Sequence, residues 1–148
     1  MEEREMIAFC REFLDGQKLK NKLSGDGKTV FFKKGEDTYE LMPCNGEGNT
    51  QLGKVVILNI DNLAELARVW AQAVHVWSLD PMYDSFEAVS MNLSMPPNQP
   101  AGRKKCFVWY KFDTFEDFRA TATDPQNFHG ILEKLHTLAG YIIGADKK

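Results

Sequence analysis

Cysteine is scarce in this chain. Three residues, Cys10, Cys44 and Cys106, are spread over 148 positions in an odd number without paired spacing, which excludes a disulfide framework and fits reduced thiols in a cytoplasmic protein. Positive charge is not in excess: 18 Lys and Arg stand against 21 Asp and Glu, a net charge of −3, which argues against a dedicated nucleic-acid binder. No apolar run approaches the ~20 residues needed to cross a bilayer. The start, Met1-Glu2-Glu3-Arg4-Glu5, lacks the basic segment and apolar stretch of a secretory signal. The sequon Asn92-Leu93-Ser94 therefore reads as chance. Only three histidines are present, which leaves little material for a histidine-rich metal centre.

What is present is an internal near-repeat. Val55-Val56-Ile57-Leu58-Asn59-Ile60-Asp61-Asn62-Leu63-Ala64-Glu65-Leu66 lies over Phe107-Val108-Trp109-Tyr110-Lys111-Phe112-Asp113-Thr114-Phe115-Glu116-Asp117-Phe118 at an offset of 52. Each copy reads as a buried strand, an Asp at the turn, and the opening of an amphipathic helix. Two copies are too few for a solenoid, so the pattern predicts a pseudo-duplicated α+β domain. Its strand-to-helix corners should be capped by Asp61 or Asn62 and by Asp113 or Thr114.

The rest of the chain fits around these units. Met6, Phe9, Cys10 and Phe13 make one face of an opening helix that Asp15-Gly16 ends. Gln17 to Lys22 is Lys-rich and fits neither period. Thr29–Lys33 and Thr38–Met42 predict a hairpin turning at Lys34-Gly35-Glu36-Asp37. Cys44 to Gly53 reads as a polar loop, and Val55–Ile60 as a central strand. Leu63, Leu66, Ala67, Trp70, Ala73, Val74 and Trp77 form the stripe of a second helix. Ser85 to Ser94 alternates as a strand, and Cys106 to Phe112 is a second central strand. A short helix follows, and Asp124-Pro125 opens a last one with Phe128, Ile131, Leu132, Leu135, Leu138 and Ile142 on its apolar face. The expected fold is α+β: one domain over residues 1–148, ordered α-β-β-β-α-β-β-α, with a mostly antiparallel sheet packed against helices. This order, length and acidity resemble the class I type III secretion chaperones, whose fold has that order and which act as homodimers. The resemblance is one of topology and carries over no functional residue.

Candidate chemistry is sparse. Gly48-Asn49-Thr50-Gln51-Leu52-Gly53-Lys54 contains the GxxxxGK spacing of a phosphate loop, but the strand follows it and Val55 stands where Ser or Thr would hold magnesium. His129, Glu133 and His136 share a flank of the last helix, with a single Glu-x-x-His spacing where di-iron bundles need two. Cys44 lies in a loop and would need His75 or another base to become a nucleophile. These residues frame an enzyme alternative, but no catalytic, cofactor or metal set is assigned. Lys18, Lys20, Lys22, Lys28, Lys33 and Lys34, near Phe31, Phe32 and Tyr39, frame a nucleic-acid alternative.

The remaining anomaly is apolar surface. Val69 and Val76 fall off the stripe of the second helix, and both central strands are apolar on both faces. Helices on both sides of the sheet would cover that excess, and so would another protein chain. The sequence therefore points to a protein-binding module, homodimeric and cytoplasmic, that holds a secreted effector as a secretion chaperone does. Its alternative form is an immunity protein that blocks a toxin with acidic surface at Glu36, Asp37, Glu40 and Glu47.

Overall fold

The computed structural model describes residues 2–58, 60, 63–79, 89–94, 104–122 and 124–146. Its elements are α1 (Glu3–Gly16), β1 (Asn21–Leu23), β2 (Val30–Lys34), β3 (Asp37–Met42), β4 (Thr50–Leu58), α2 (Leu63–Ser78), β5 (Val89–Ser94), β6 (Lys104–Phe112), α3 (Phe115–Ala122) and α4 (Pro125–Asp146). The strands form one antiparallel sheet in the order β1-β2-β3-β4-β6-β5. The α+β class and the antiparallel sheet agree with the sequence reading. One element is additional: Asn21–Leu23 forms an outer strand where no period was visible. The short helix α3 and the last helix α4, which begins at Pro125, divide as the sequence implied.

The two opening elements meet through a helix end of unexpected composition. Helix α1 ends at Gly16 as the sequence implied, but the left-handed residue beyond it is Lys18, at φ 60°. The Leu19 N–H donates to Leu14 O at 3.0 Å and the Lys18 N–H to Asp15 O at 2.9 Å, the paired bonds of a Schellman motif. Leu19 and Leu14 are both buried in the core, so the apolar contact that accompanies this motif outweighs the steric cost of lysine at the left-handed position. The β2–β3 hairpin turns through Gly35-Glu36, with Lys34 paired to Asp37 and Gly35 at φ 64°, the glycine-first arrangement of a two-residue hairpin.

Strand β4 begins earlier than the sequence implied. Thr50, Leu52, Lys54, Val56 and Leu58 are all buried, a period-two pattern that the polar residues hide. Thr50 satisfies its hydroxyl by donating to Pro43 O at 2.6 Å. Lys54 sends its amine to Asp37 Oδ1 at 3.2 Å.

Among the described residues the helices lie on one side of the sheet, not on both. Helix α1 packs on β1 and β2, α3 on β6, and α4 on β4 and β6, while α2 packs on α4. The core between them holds Phe32, Tyr39, Leu41, Leu52, Val108, Phe118, Phe128, Leu132 and Leu135. Within α2 the buried line is Leu66, Val69, Ala73 and Trp77, whereas Ala67 is exposed. The helix is turned toward Val69 relative to the stripe read from sequence, because its contact is α4 rather than the sheet.

The caps divide between described and undescribed residues. Thr114 Oγ1 accepts from the Asp117 N–H at 3.1 Å and Asp124 Oδ1 from the Gln126 N–H at 3.0 Å. Asp61 and Asn62, and the side chain of Leu63, lie outside the described residues, but Leu66, Phe115 and Phe118 are buried as the repeat requires. Thr114→Ala should cost about 1 kcal/mol and Phe118→Ala about 3–5 kcal/mol, whereas the exposed Asp113→Ala should be near neutral. Chemical denaturation orders the three. Lys18→Gly should raise stability by about 1 kcal/mol, measured as a higher denaturant midpoint at unchanged slope.

Candidate functional site

The repeat has a geometric consequence in the sheet. Strands β4 and β6 pair so that Val55 faces Phe107, and these are equivalent positions at the 52-residue offset. The local two-fold relating the copies therefore passes through that pair, at the centre of the sheet. Neighbouring residues on one antiparallel ladder share a face. Val55, Phe107, Gly53, Trp109 and Ile57 thus all belong to the side away from the helices.

Around that pair the side is apolar. Phe107 and Trp109 stack with ring centroids 5.5 Å apart and planes 18° apart. The Trp109 ring lies flat over Gly53, its cross-strand partner, and a Cβ at position 53 would overlap it. This is why β4 carries glycine in mid-strand. Val55 and Phe107 are half-buried, and Ile57 is 43% exposed on a central strand.

The GxxxxGK segment has no phosphate-loop geometry. Its Gly53-Lys54 end is strand, and Lys54 is buried against Asp37 and over the Tyr39 ring at 5.5 Å. The loop before it is closed by Asn45, whose Oδ1 accepts from the Glu47 and Asn49 N–H groups at 2.8 and 2.9 Å.

The flank His129/Glu133/His136 is pulled apart by separate partners. His136 Nδ1 contacts Asp37 Oδ2 at 2.9 Å. His129 Nδ1 takes a hydrogen from Lys34 Nζ at 3.2 Å, which fixes the other ring hydrogen on Nε2, donated to Gln17 Oε1 at 3.0 Å. Glu133 is exposed. No group of three or more potential ligands converges among the described residues. Cys44 is half-buried, with its thiol toward Asn45 O at 3.7 Å, while His75 is exposed on α2. Cys10 is a core residue whose thiol burial pushes up to about 12, so it is not a nucleophile near neutral pH.

The residues expected at a partner surface are divided as well. Val69 is fully buried against the core and cannot present surface, so it leaves that set. Val76 is exposed beside the exposed Leu79. Asp37 is committed to Lys54 and His136. Glu36 is exposed at the hairpin and Glu47 in the loop at the other end of β3, ~17 Å apart along a strand of that length. Glu40 is half-buried on β3, between these ends. The four acidic residues therefore do not form one patch. The lysine cluster also loses its aromatics: Phe32 and Tyr39 stack on each other inside the core, centroids 5.3 Å apart, leaving Phe31 half-buried on the outer side. The excess apolar surface was visible in the sequence, but nothing there told which side the helices would take. The double-sided apolarity of the central strands was its signal.

His129 has a shifted proton affinity. Burial, and then the Lys34 ammonium, hold its imidazole below the ordinary value of 6.5. Between the lowered native value and 6.5 the unfolded chain binds a proton that the native state does not, so acidification favours unfolding. This contribution is complete above ~6.5 and is lost as pH falls through the interval below it. The stability lost between about pH 7 and pH 5 should be smaller in His129→Gln than in the parent protein, measured by denaturation at each pH.

Comparison with known proteins finds no matching family model and no matching curated protein. Among solved structures the fold is similar to that of YbjN from E. coli, a protein described as a proposed transcription regulator, at a TM-score of 0.54 and 9% identity, over 95% of this chain and 91% of that one. At that identity the likeness is one of fold. No helix among the described residues is long and apolar enough to cross a membrane.

Proposed function

We propose that this protein is a protein-binding module that docks a second polypeptide on the side of its sheet that the described helices leave uncovered. The observation that carries this reading is Ile57, 43% exposed near the end of β4, two residues along from Val55, which pairs with Phe107. An apolar residue on a central strand gains nothing from solvent, and covering it returns roughly 25 cal/mol for each Å² of apolar surface removed from water. The first form of the proposal is a homodimer that holds a client protein in the manner of the secretion chaperones, whose element order the chain resembles. The immunity form draws less support, since Glu36 and Glu47 stand at opposite ends of β3 and Asp37 is internally paired. The regulator description of YbjN would require a nucleic-acid surface, for which Phe31 with its neighbouring lysines is the available material.

Ile57→Asp tests the proposal, because an exposed position tolerates the change without unfolding the chain. By light scattering the parent protein should run at twice the chain mass and Ile57→Asp at the chain mass, with closely similar melting temperatures. If the parent is a monomer and the two proteins capture the same partners from a cell extract, the sheet face is not the docking surface.

A further inference from the structure

The outer strand β1 carries a second surface, three strands from Ile57. Its register with β2 pairs Lys22 with Phe31, and the ladder extends through Lys33 N–H to Lys20 O at 3.0 Å and Ser24 N–H to Thr29 O at 2.8 Å. Backbone groups on an antiparallel strand alternate in direction. Lys20, Lys22 and Ser24 are thus spent on β2, and the N–H and C=O of Asn21 and Leu23 point out of the sheet. No strand pairs with them among the described residues, and Leu23 is 38% exposed. Against this edge, Lys20, Lys22, Phe31, Lys33 and Thr38 line an open groove. None of the three lysines has an ion-pair partner among the described residues. In a chain of net charge −3, this is a concentrated cationic strip beside an unpaired strand edge.

We propose that β1 accepts an extended acidic peptide as an additional strand. Acidic side chains at alternate positions meet Lys20, Lys22 and Lys33, and apolar side chains between them lie on the Leu23 side. A polypeptide fits better than a nucleic acid for two reasons. Only a polypeptide can return the outward N–H and C=O groups of Asn21 and Leu23 in register. A single-strand platform needs successive exposed aromatics, and here Phe32 and Tyr39 are turned into the core. The basic strip together with a usable edge gives both affinity and direction. This site stands on its own observation, and its loss leaves the Ile57 surface untouched.

Fluorescence anisotropy at low salt tests it, with three labelled probes: a short peptide alternating Glu and Val, the same peptide with Lys for Glu, and oligothymidine. The parent protein should bind the acidic peptide, bind it less tightly as salt rises, and not bind the Lys peptide. Lys20→Glu with Lys22→Glu should weaken binding by about tenfold or more. Leu23→Pro removes one outward N–H without removing a bond to β2, and proline is tolerated on strand edges. It should weaken the peptide comparably while circular dichroism stays unchanged. Ile57→Asp should bind the peptide as the parent does. Oligothymidine bound at least as tightly as the peptide, or peptide binding indifferent to Leu23→Pro in a folded protein, overturns the proposal. So does absence of acidic-peptide binding by the folded parent at low salt.

Discussion

The structure depends on one long helix lying across one face of a six-stranded sheet. Helix α4 runs 22 residues, ~33 Å at the usual rise, and it packs on β4, β6, α2 and α3. Its buried line, Phe128 to Ala145, touches most of the other elements. Phe128 meets Phe13 edge-on, centroids 4.8 Å apart, and Phe32 at 6.1 Å. Leu132 offers its carbonyl to Tyr39 Oη at 3.4 Å. Because α4 fills the centre of this layer, α2 packs on α4 rather than on the sheet, and the helix layer becomes two deep on one side. The described helices then leave the other face of β4 and β6 to whatever those strands carry there.

What they carry follows from the near-repeat. In an antiparallel pair of equivalent strands a residue can face its own counterpart, and here Val55 and Phe107 do. The two are equivalent in sequence but not in size, and the difference propagates. Trp109 is large and needs a flat seat, which Gly53 supplies by having no side chain. The counterpart of Trp109 on the other half of the ladder is Ile57, which pairs with Lys105 and meets solvent. The pseudo-symmetry is thus broken in one direction: a tight, filled half around Trp109 and an open half around Ile57. A partner that covers Ile57 would find shape on one side and apolar area on the other.

Much of this was legible in the sequence wherever a period ran unbroken or a cap had its usual chemistry. The α4 face, the Asp124-Pro125 start, the β2–β3 hairpin and the Phe118 anchor all belong to that group. The failures share a physical cause, which is that a tertiary contact overrode a local signal. Strand β1 is too short to show a period and exists because β2 offers it an edge. The first half of β4 was hidden by Thr50, Gly53 and Lys54, each polar or small for a reason found elsewhere in the fold: Pro43 O, the Trp109 ring and the Asp37 carboxylate. Val69 read as surface because the stripe was centred on a sheet contact, whereas α2 contacts α4. Lys18 is left-handed because Leu19 is buried, and a turn residue chosen by its neighbour's burial has no signature of its own. The candidate site shared this fate: apolarity on two faces was visible, but which face stayed open was decided by α4.

Charge shows how function-like patterns dissolve once partners are known. Lys54 is nearly buried, and a buried ammonium is tolerable only with a counter-ion. Asp37 provides it and also holds His136. That single carboxylate removes one lysine from the phosphate-loop pattern, one acidic residue from the presumed acidic patch and one histidine from the presumed ligand set. Lys34 and Gln17 remove His129 in the same way. Among the described residues the lysines at the β1 edge have no ion-pair partner, so a positive strip of an acidic chain sits beside an unpaired strand edge. On an edge strand, lysine alone would serve to discourage unspecific pairing. With an apolar residue and outward backbone groups between the lysines, the same strip would favour an acidic strand over a neutral one and repel a basic one. Protection against aggregation and selection of a partner would then be one electrostatic property of one edge.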